Sequence, residues 1–130
     1  MIVRPSLQDA IDMEGLAMNI KQRGMAASRA YLERIGQKVL EPGTSPAPKG
    51  IDILNIDGDT LVATVVRVRQ RPAEDAPVSG RTLDTALRNT IAHRDSYAPE
   101  RDSVRVDVVS ILIIAEDRAL LRHYRGERNG

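Results

Sequence analysis

Apolar positions return along this chain with different periods, and each period predicts an element. Leu7, Ala10, Ile11, Met13, Leu16 and Ile20, then Met25, Ala27, Ala30, Tyr31 and Ile35, recur at the spacing of one helix face. Helix is therefore predicted from Ser6, a fitting N-cap, to about Gly36, a natural stop. Gly15 and Gly24 each cost about 1 kcal/mol relative to alanine inside a helix, so a break is expected near one of them. A short strand over 38–40 follows. Between Lys49 and Arg71 the period falls to two. There IDILNI and TLVATVVRV flank Asp57-Gly58-Asp59, a strong hairpin signal because glycine accepts the positive φ of the turn. Alternation puts Val62, Thr64, Val66 and Val68 on one face of the second strand, and Leu61, Ala63, Val65, Arg67 and Arg69 on the other. Helical spacing returns over 81–97, with Leu83, Leu87, Ile91 and Arg94 on one side and Pro99 closing the helix. The run from Val104 to Ile114 is too continuously apolar to be half-exposed and reads as a central strand. Glu116-Asp117 then turns the chain into an edge strand over 119–124.

This order of elements predicts an α/β fold, a mixed β-sheet flanked by helices. Two Pro-rich stretches, EPGTSPAPKG and PAEDAPVSG, sustain neither helix nor ladder and are read as loops on either side of the hairpin. At 130 residues the chain suits one domain with a sizeable core. Its expected organisation is a helical N-terminal extension over 1–18, an α/β domain over 19–124 and a flexible polar tail over 125–130.

Composition then narrows the function classes. The net charge of +1 gives no global field that would recruit nucleic acid, so any such binding rests on local patches. With no Phe or Trp and three Tyr, there is almost no material for stacking bases in a single-strand binder. Cysteine is absent, which removes disulfides, thiolate nucleophiles and Cys-based zinc sites and suits a reducing cytosol. The N-terminus intersperses acids among its apolar residues, so neither a signal peptide nor a membrane span is expected, and a cytoplasmic location follows.

Candidate chemistry gathers on the hairpin. Asp52 stands near the start of its first strand, and Arg67, Arg69 and Arg71 form a basic comb at the end of its second. An Asp at such a place serves either as a partner for an Arg or a backbone N–H, or as a metal ligand. The arginines are either a solvated strand end or phosphate contacts. Asp57 and Asp59 read as turn formers, since the DILNIDGD spacing lacks the ligand order of a calcium loop. His93 and His123 are isolated in sequence, with no HxxxH or HExxH pair, and read as solvated or satisfied histidines. Arg118, Arg122, Arg125 and Arg128 are diluted by Glu116, Asp117 and Glu127 and read as a solvated edge. Serine-hydrolase, P-loop and dinucleotide motifs are all missing.

Several words of the sequence, in order, resemble the YraN-like family of restriction-endonuclease-like (PD-(D/E)xK) proteins. They are Gly24 with the Ala-rich helix and Tyr31-Leu32-Glu33-Arg34; Ile51-Asp52-Ile53-Leu54 with Asp57-Gly58-Asp59; Val66-Arg67-Val68-Arg69; and Arg105-Val106-Asp107-Val108-Val109. The resemblance covers about residues 19–124 and implies a restriction-endonuclease-like fold and a metal-dependent nuclease site. It also implies what is missing. Where the family carries Glu after the helix glycine, Glu before the Ile-Asp pair and a Glu-Val-Lys triplet, this chain has Met25, Gly50 and Val65-Val66-Arg67. Asp52 and Arg67 are then the remnant of a catalytic site, with no metal expected beyond weak magnesium at Asp52, because nuclease chemistry needs more than one carboxylate. The resulting expectation is a pseudo-nuclease that contacts duplex or junction nucleic acid through Arg67, Arg69 and Arg71. The alternatives are a scaffold that dimerises or docks a partner, and a residual metal-dependent nuclease that recruits Glu74 or Asp75.

Overall fold

The computed structural model describes residues 2–3, 20–40, 50–70, 78–115 and 117–128. In chain order the elements are β1 (Ile2–Val3), α1 (Ile20–Arg34), β2 (Lys38–Val39), β3 (Ile53–Asp57), β4 (Thr60–Gln70), α2 (Gly80–Tyr97), β5 (Ser103–Ala115) and β6 (Arg118–Tyr124). The six strands form one sheet in the order β1-β6-β5-β4-β3-β2. All neighbours are antiparallel except β4 and β5, which run parallel from Thr60↔Ser103 to Gln70↔Ile113 and are joined by α2. The fold is α/β with a mixed sheet and a helix on each face, consistent with a restriction-endonuclease-like arrangement. None of the described helices is long and apolar enough to cross a membrane.

The hairpin forms where turn chemistry and alternation place it. Ile53↔Thr64 to Asp57↔Thr60 are in register across Gly58-Asp59, and the two faces of β4 meet different helices. Val66 and Val68 pack under α1 with Leu32, Met25 and Tyr31, while Leu61, Ala63 and Val65 pack with Ala86 of α2, Leu54 and Ile51. β5 is an interior strand, fully buried along the α1 side at Val109, Ile111 and Ile113.

Both helices depart from their predicted apolar stripes in the same way. On α1 the buried line is Gly24, Ser28 and Leu32, and on α2 it is Ala86 and Thr90, while Ile35 and Ile91 are exposed, Ile91 by 51%. Small residues let each helix backbone come close to the sheet, and the hydroxyls cost little to bury. Ser28 Oγ donates to the Gly24 carbonyl at 2.7 Å and Thr90 Oγ1 to the Ala86 carbonyl at 2.7 Å. The same close approach carries α1 unbroken through Gly24, one of the two positions near which a break is expected. A Cβ there would lie 2.0 Å from Val68 Cγ2, so helix–sheet contact decides the position rather than propensity. Gly15, the other candidate break, lies outside the described residues, as do 41–49 and 72–77 of the two Pro-rich stretches, while Ser79 and Gly80 at the end of the second cap and open α2.

At the other side of the sheet, β6 is not the edge. Ile2 and Val3 pair with Leu120 and Ala119, placing β1 outside it. Of the N-terminal extension, Ile2–Val3 is therefore strand, and residues 4–19 lie outside the described ones. Where a flexible tail is expected, the Gly126 N–H donates to Asp107 Oδ1 at 3.0 Å, and Arg128 reaches Asp59 at 3.5 Å. Any side chain at Gly126 would press on β5, since a Cβ there would lie 2.1 Å from the Val106 carbonyl oxygen.

Candidate nucleic-acid interface

Because β3 begins at Ile53, opposite Thr64, β4 runs on past it from Val65 to Gln70 with no antiparallel partner on that side among the described residues. Backbone groups there need other partners. Asp52, at the bend before β3, supplies them. Its N–H donates to the Thr64 carbonyl at 3.1 Å, and its Oδ2 accepts the next N–H of β4, that of Val66, at 2.7 Å. Lys21, in the first turn of α1, completes the arrangement. Its Nζ lies 3.3 Å from Asp52 Oδ2 and donates to the Val66 carbonyl. One carboxylate and one ammonium thus bracket both polar groups of a single strand residue. The ion pair is open to water, with side chains 47% and 26% exposed for Lys21 and Asp52, and its Coulomb part contributes at most about 1 kcal/mol.

Arg67 follows Val66 directly, and Arg67 and Arg69 stand opposite Ser110 and Leu112 of β5, both half-buried on the α2 side of the strand. Arg71 lies outside the described residues. The structure therefore brings Asp52 together with Lys21 at the far end of β4, whereas Arg67 and Arg69 leave the same strand end on the opposite, α2 side of the sheet. No group of three metal-ligating side chains occurs among the described residues. Glu74 and Asp75 lie outside them.

A second polar cluster, which sequence reading missed, sits on the α1 side of the sheet between β5 and β6. Arg105 Nε donates to Asp107 Oδ1 at 2.7 Å and its Nη2 to Oδ2 at 2.9 Å, and Nη2 also lies 3.0 Å from Asp57 Oδ2. His123 Nε2 is 2.9 Å from Asp107 Oδ2, and its Nδ1 shares a 2.9 Å hydrogen bond with the Tyr31 hydroxyl. The Tyr31 and His123 rings meet edge to face at 5.4 Å. Asp107 is fully buried. Burial pushes its carboxyl upward, but hydrogen bonds from His123, Arg105 and the Gly126 N–H hold it below the usual carboxylate range. Burial would lower the Arg105 guanidinium, yet its bonds to Asp107 and Asp57 leave it raised. Burial raises the Tyr31 hydroxyl, with Arg125 opposing and Asp107 adding to the effect.

His123 is thus a satisfied histidine, and Asp57 and Asp59 are anchors for Arg105 and Arg128 as well as turn residues. The readable signal for the cluster was the pair of charges two residues apart inside an apolar strand, Val104-Arg105-Val106-Asp107-Val108. Spacing of two puts both on one face, and a buried charge needs a partner.

No family model matches the chain. A UPF0102 protein from Arthrobacter sp. (strain FB24) is 30% identical to it over 111 residues, covering 81% of this chain and 92% of the relative. The chain belongs to the UPF0102 family. UPF0102 is the YraN-like family that the motifs resembled. In this UPF0102 protein the hairpin and helix that the resemblance invoked converge on the far end of β4, where Asp52 meets Lys21.

Proposed function

We propose that this UPF0102 protein is a non-hydrolytic nuclease-fold protein that binds duplex or junction nucleic acid through backbone phosphates, without reading sequence. The observation that carries the reading is the engagement of Asp52 Oδ2 by the Val66 N–H and the Lys21 ammonium. Magnesium is held through carboxylates, substrate phosphate and water, and a nuclease also needs a group to position or deprotonate the attacking water. Here the one carboxylate at the strand end among the described residues already serves a backbone N–H and an ammonium. Val65 is apolar, and the Arg67 guanidinium stays protonated and cannot act as a base. The strand end suits anions instead, with Lys21 on the Asp52 carboxylate, Arg67 and Arg69 on the other face of the same strand and Arg71 next in sequence but one.

Phosphate contact by three arginines gives affinity through counterion release, with a log–log salt slope of about 2.7, since each contact contributes about 0.9. Fluorescence anisotropy with a labelled duplex at several salt concentrations checks this, and Arg67→Ala lowers the slope by about one. No binding at the lowest salt, or equal slopes for both proteins, would remove the proposed contact. Calorimetry and a nuclease assay with magnesium and manganese test the non-hydrolytic half. Metal-dependent cleavage that disappears in Asp52→Ala would overturn it.

A further inference from the structure

We infer that the Lys21 ammonium is the resident cation of an oxygen-donor position formed by Asp52 Oδ2 and the Val66 carbonyl, and that removing it converts the position into a divalent-cation site. The donors are those a hard cation selects, a carboxylate oxygen and a backbone carbonyl oxygen, and the Lys21 and Asp52 side chains that meet there are partly exposed to solvent. Both donors are fixed by the fold. Asp52 is held through its own N–H on Thr64 and through the Val66 N–H on its carboxylate, and the Val66 carbonyl belongs to β4. The cation, in contrast, arrives on a flexible side chain from α1, so it can be deleted without dismantling its ligands. While it is present, its charge repels a metal ion from the same two oxygens. The protein therefore carries a permanent positive charge where a metal-dependent relative would need an ion. Metal-independent duplex binding rests on the function proposed above, whereas cation exchange at Asp52 does not.

Manganese binding by calorimetry, on full-length parent, Lys21→Met and Lys21→Met/Asp52→Asn, decides the exchange, with circular dichroism to establish folding. Lys21→Met is expected to bind one manganese ion about tenfold or more tighter than the parent, the scale of removing a unit charge from the site. The double variant is expected to lose that gain. Equal affinity in folded Lys21→Met and parent, or a gain that survives in the double variant, overturns the assignment. The parent provides a test that needs no variant. If Lys21 holds the position, millimolar manganese leaves the Val66 amide resonance unbroadened, and selective broadening there refutes it. Parent affinity for a labelled duplex is expected to be unchanged by EDTA at matched ionic strength, and a requirement for magnesium refutes the permanent-charge role. Absence of duplex binding in any buffer defeats the proposed function while the manganese titrations still judge Lys21.

Discussion

Asp52 and Asp107 share two kinds of contact in two different settings. Each accepts a backbone N–H, Val66 for one and Gly126 for the other, and each faces a cationic side chain, Lys21 or Arg105. Asp107 is fully buried, with its guanidinium partner fixed by a bidentate bond, whereas Asp52 is 26% exposed and paired with a half-exposed ammonium. Water and salt screen the second pair and scarcely reach the first. Similar chemistry thus joins β5, β6 and Gly126 in a buried cluster, and makes a partly exposed ion pair at the end of β4. Exposure, more than residue type, decides which carboxylate solvent can reach.

The largest expected effect comes from removing the buried one. Asp107→Ala leaves Arg105 and His123 without their shared partner and is expected to cost about 3–5 kcal/mol in denaturant unfolding. A loss below about 1 kcal/mol would place Asp107 with Asp52 and erase the contrast. The same carboxylate governs acid behaviour. Its folded value lies below the unfolded one, so its stabilisation is fully present above the unfolded carboxylate range near about 4 and is lost as pH falls through the folded value. Unfolding curves below about pH 4 should therefore show a stability loss that is missing in Asp107→Ala.

An intermediate effect is expected at Gly24, where α1 approaches β4 and sets the distance from which Lys21 reaches Val66. Gly24→Ala places a methyl group against Val68, a stiff β-branched neighbour, and overpacking of this kind costs about 1–3 kcal/mol. The helix propensity gained from alanine offsets only about 1 kcal/mol. A stabilised variant would show that the contact is slack and that Lys21 is not positioned by it.

How much was legible follows from which forces are local. The hairpin, the alternating faces of β4 and the boundaries of α2 came from turn chemistry and period, which neighbouring residues decide. The Ser79 hydroxyl indeed caps α2 by accepting the Thr82 N–H. What escaped was set by distant partners. Gly24 looked like a weak point because Val68 is far away in sequence. Ile91 looked like core because the small line Ala86–Thr90, which lets α2 come near, carries little hydrophobic signal. The pairing of β1 outside β6 joins opposite ends of the chain. At the candidate site, Asp52 and the arginines were visible as residue types on one hairpin, but Lys21 lies on a helix well upstream and nothing in its local spacing announces it.

The smallest effect is expected from the exposed carboxylate, and it tests the comparison most directly. Asp52→Ala removes a charge-assisted bond to the Val66 N–H and the ion pair with Lys21. Lys21 is half-exposed and the Asp52 side chain is itself 26% exposed, so water reaches the place the carboxylate leaves and the desolvation penalty is smaller than the one that follows Asp107→Ala. The expected loss is about 1 kcal/mol, the net value of a single hydrogen bond in water, against several for the buried site. Part of it is Coulombic, and that part should fade as salt shortens the Debye length from about 10 Å at 0.1 M to about 3 Å at 1 M. Urea unfolding of the parent, Asp52→Ala and Asp107→Ala at both ionic strengths separates the cases. The gap between parent and Asp52→Ala narrows with salt, and the gap to Asp107→Ala does not. If Asp52→Ala is instead as damaging as Asp107→Ala and indifferent to salt, Asp52 is a structural residue first, and the proposal of a cation and phosphate site at the far end of β4 loses its support.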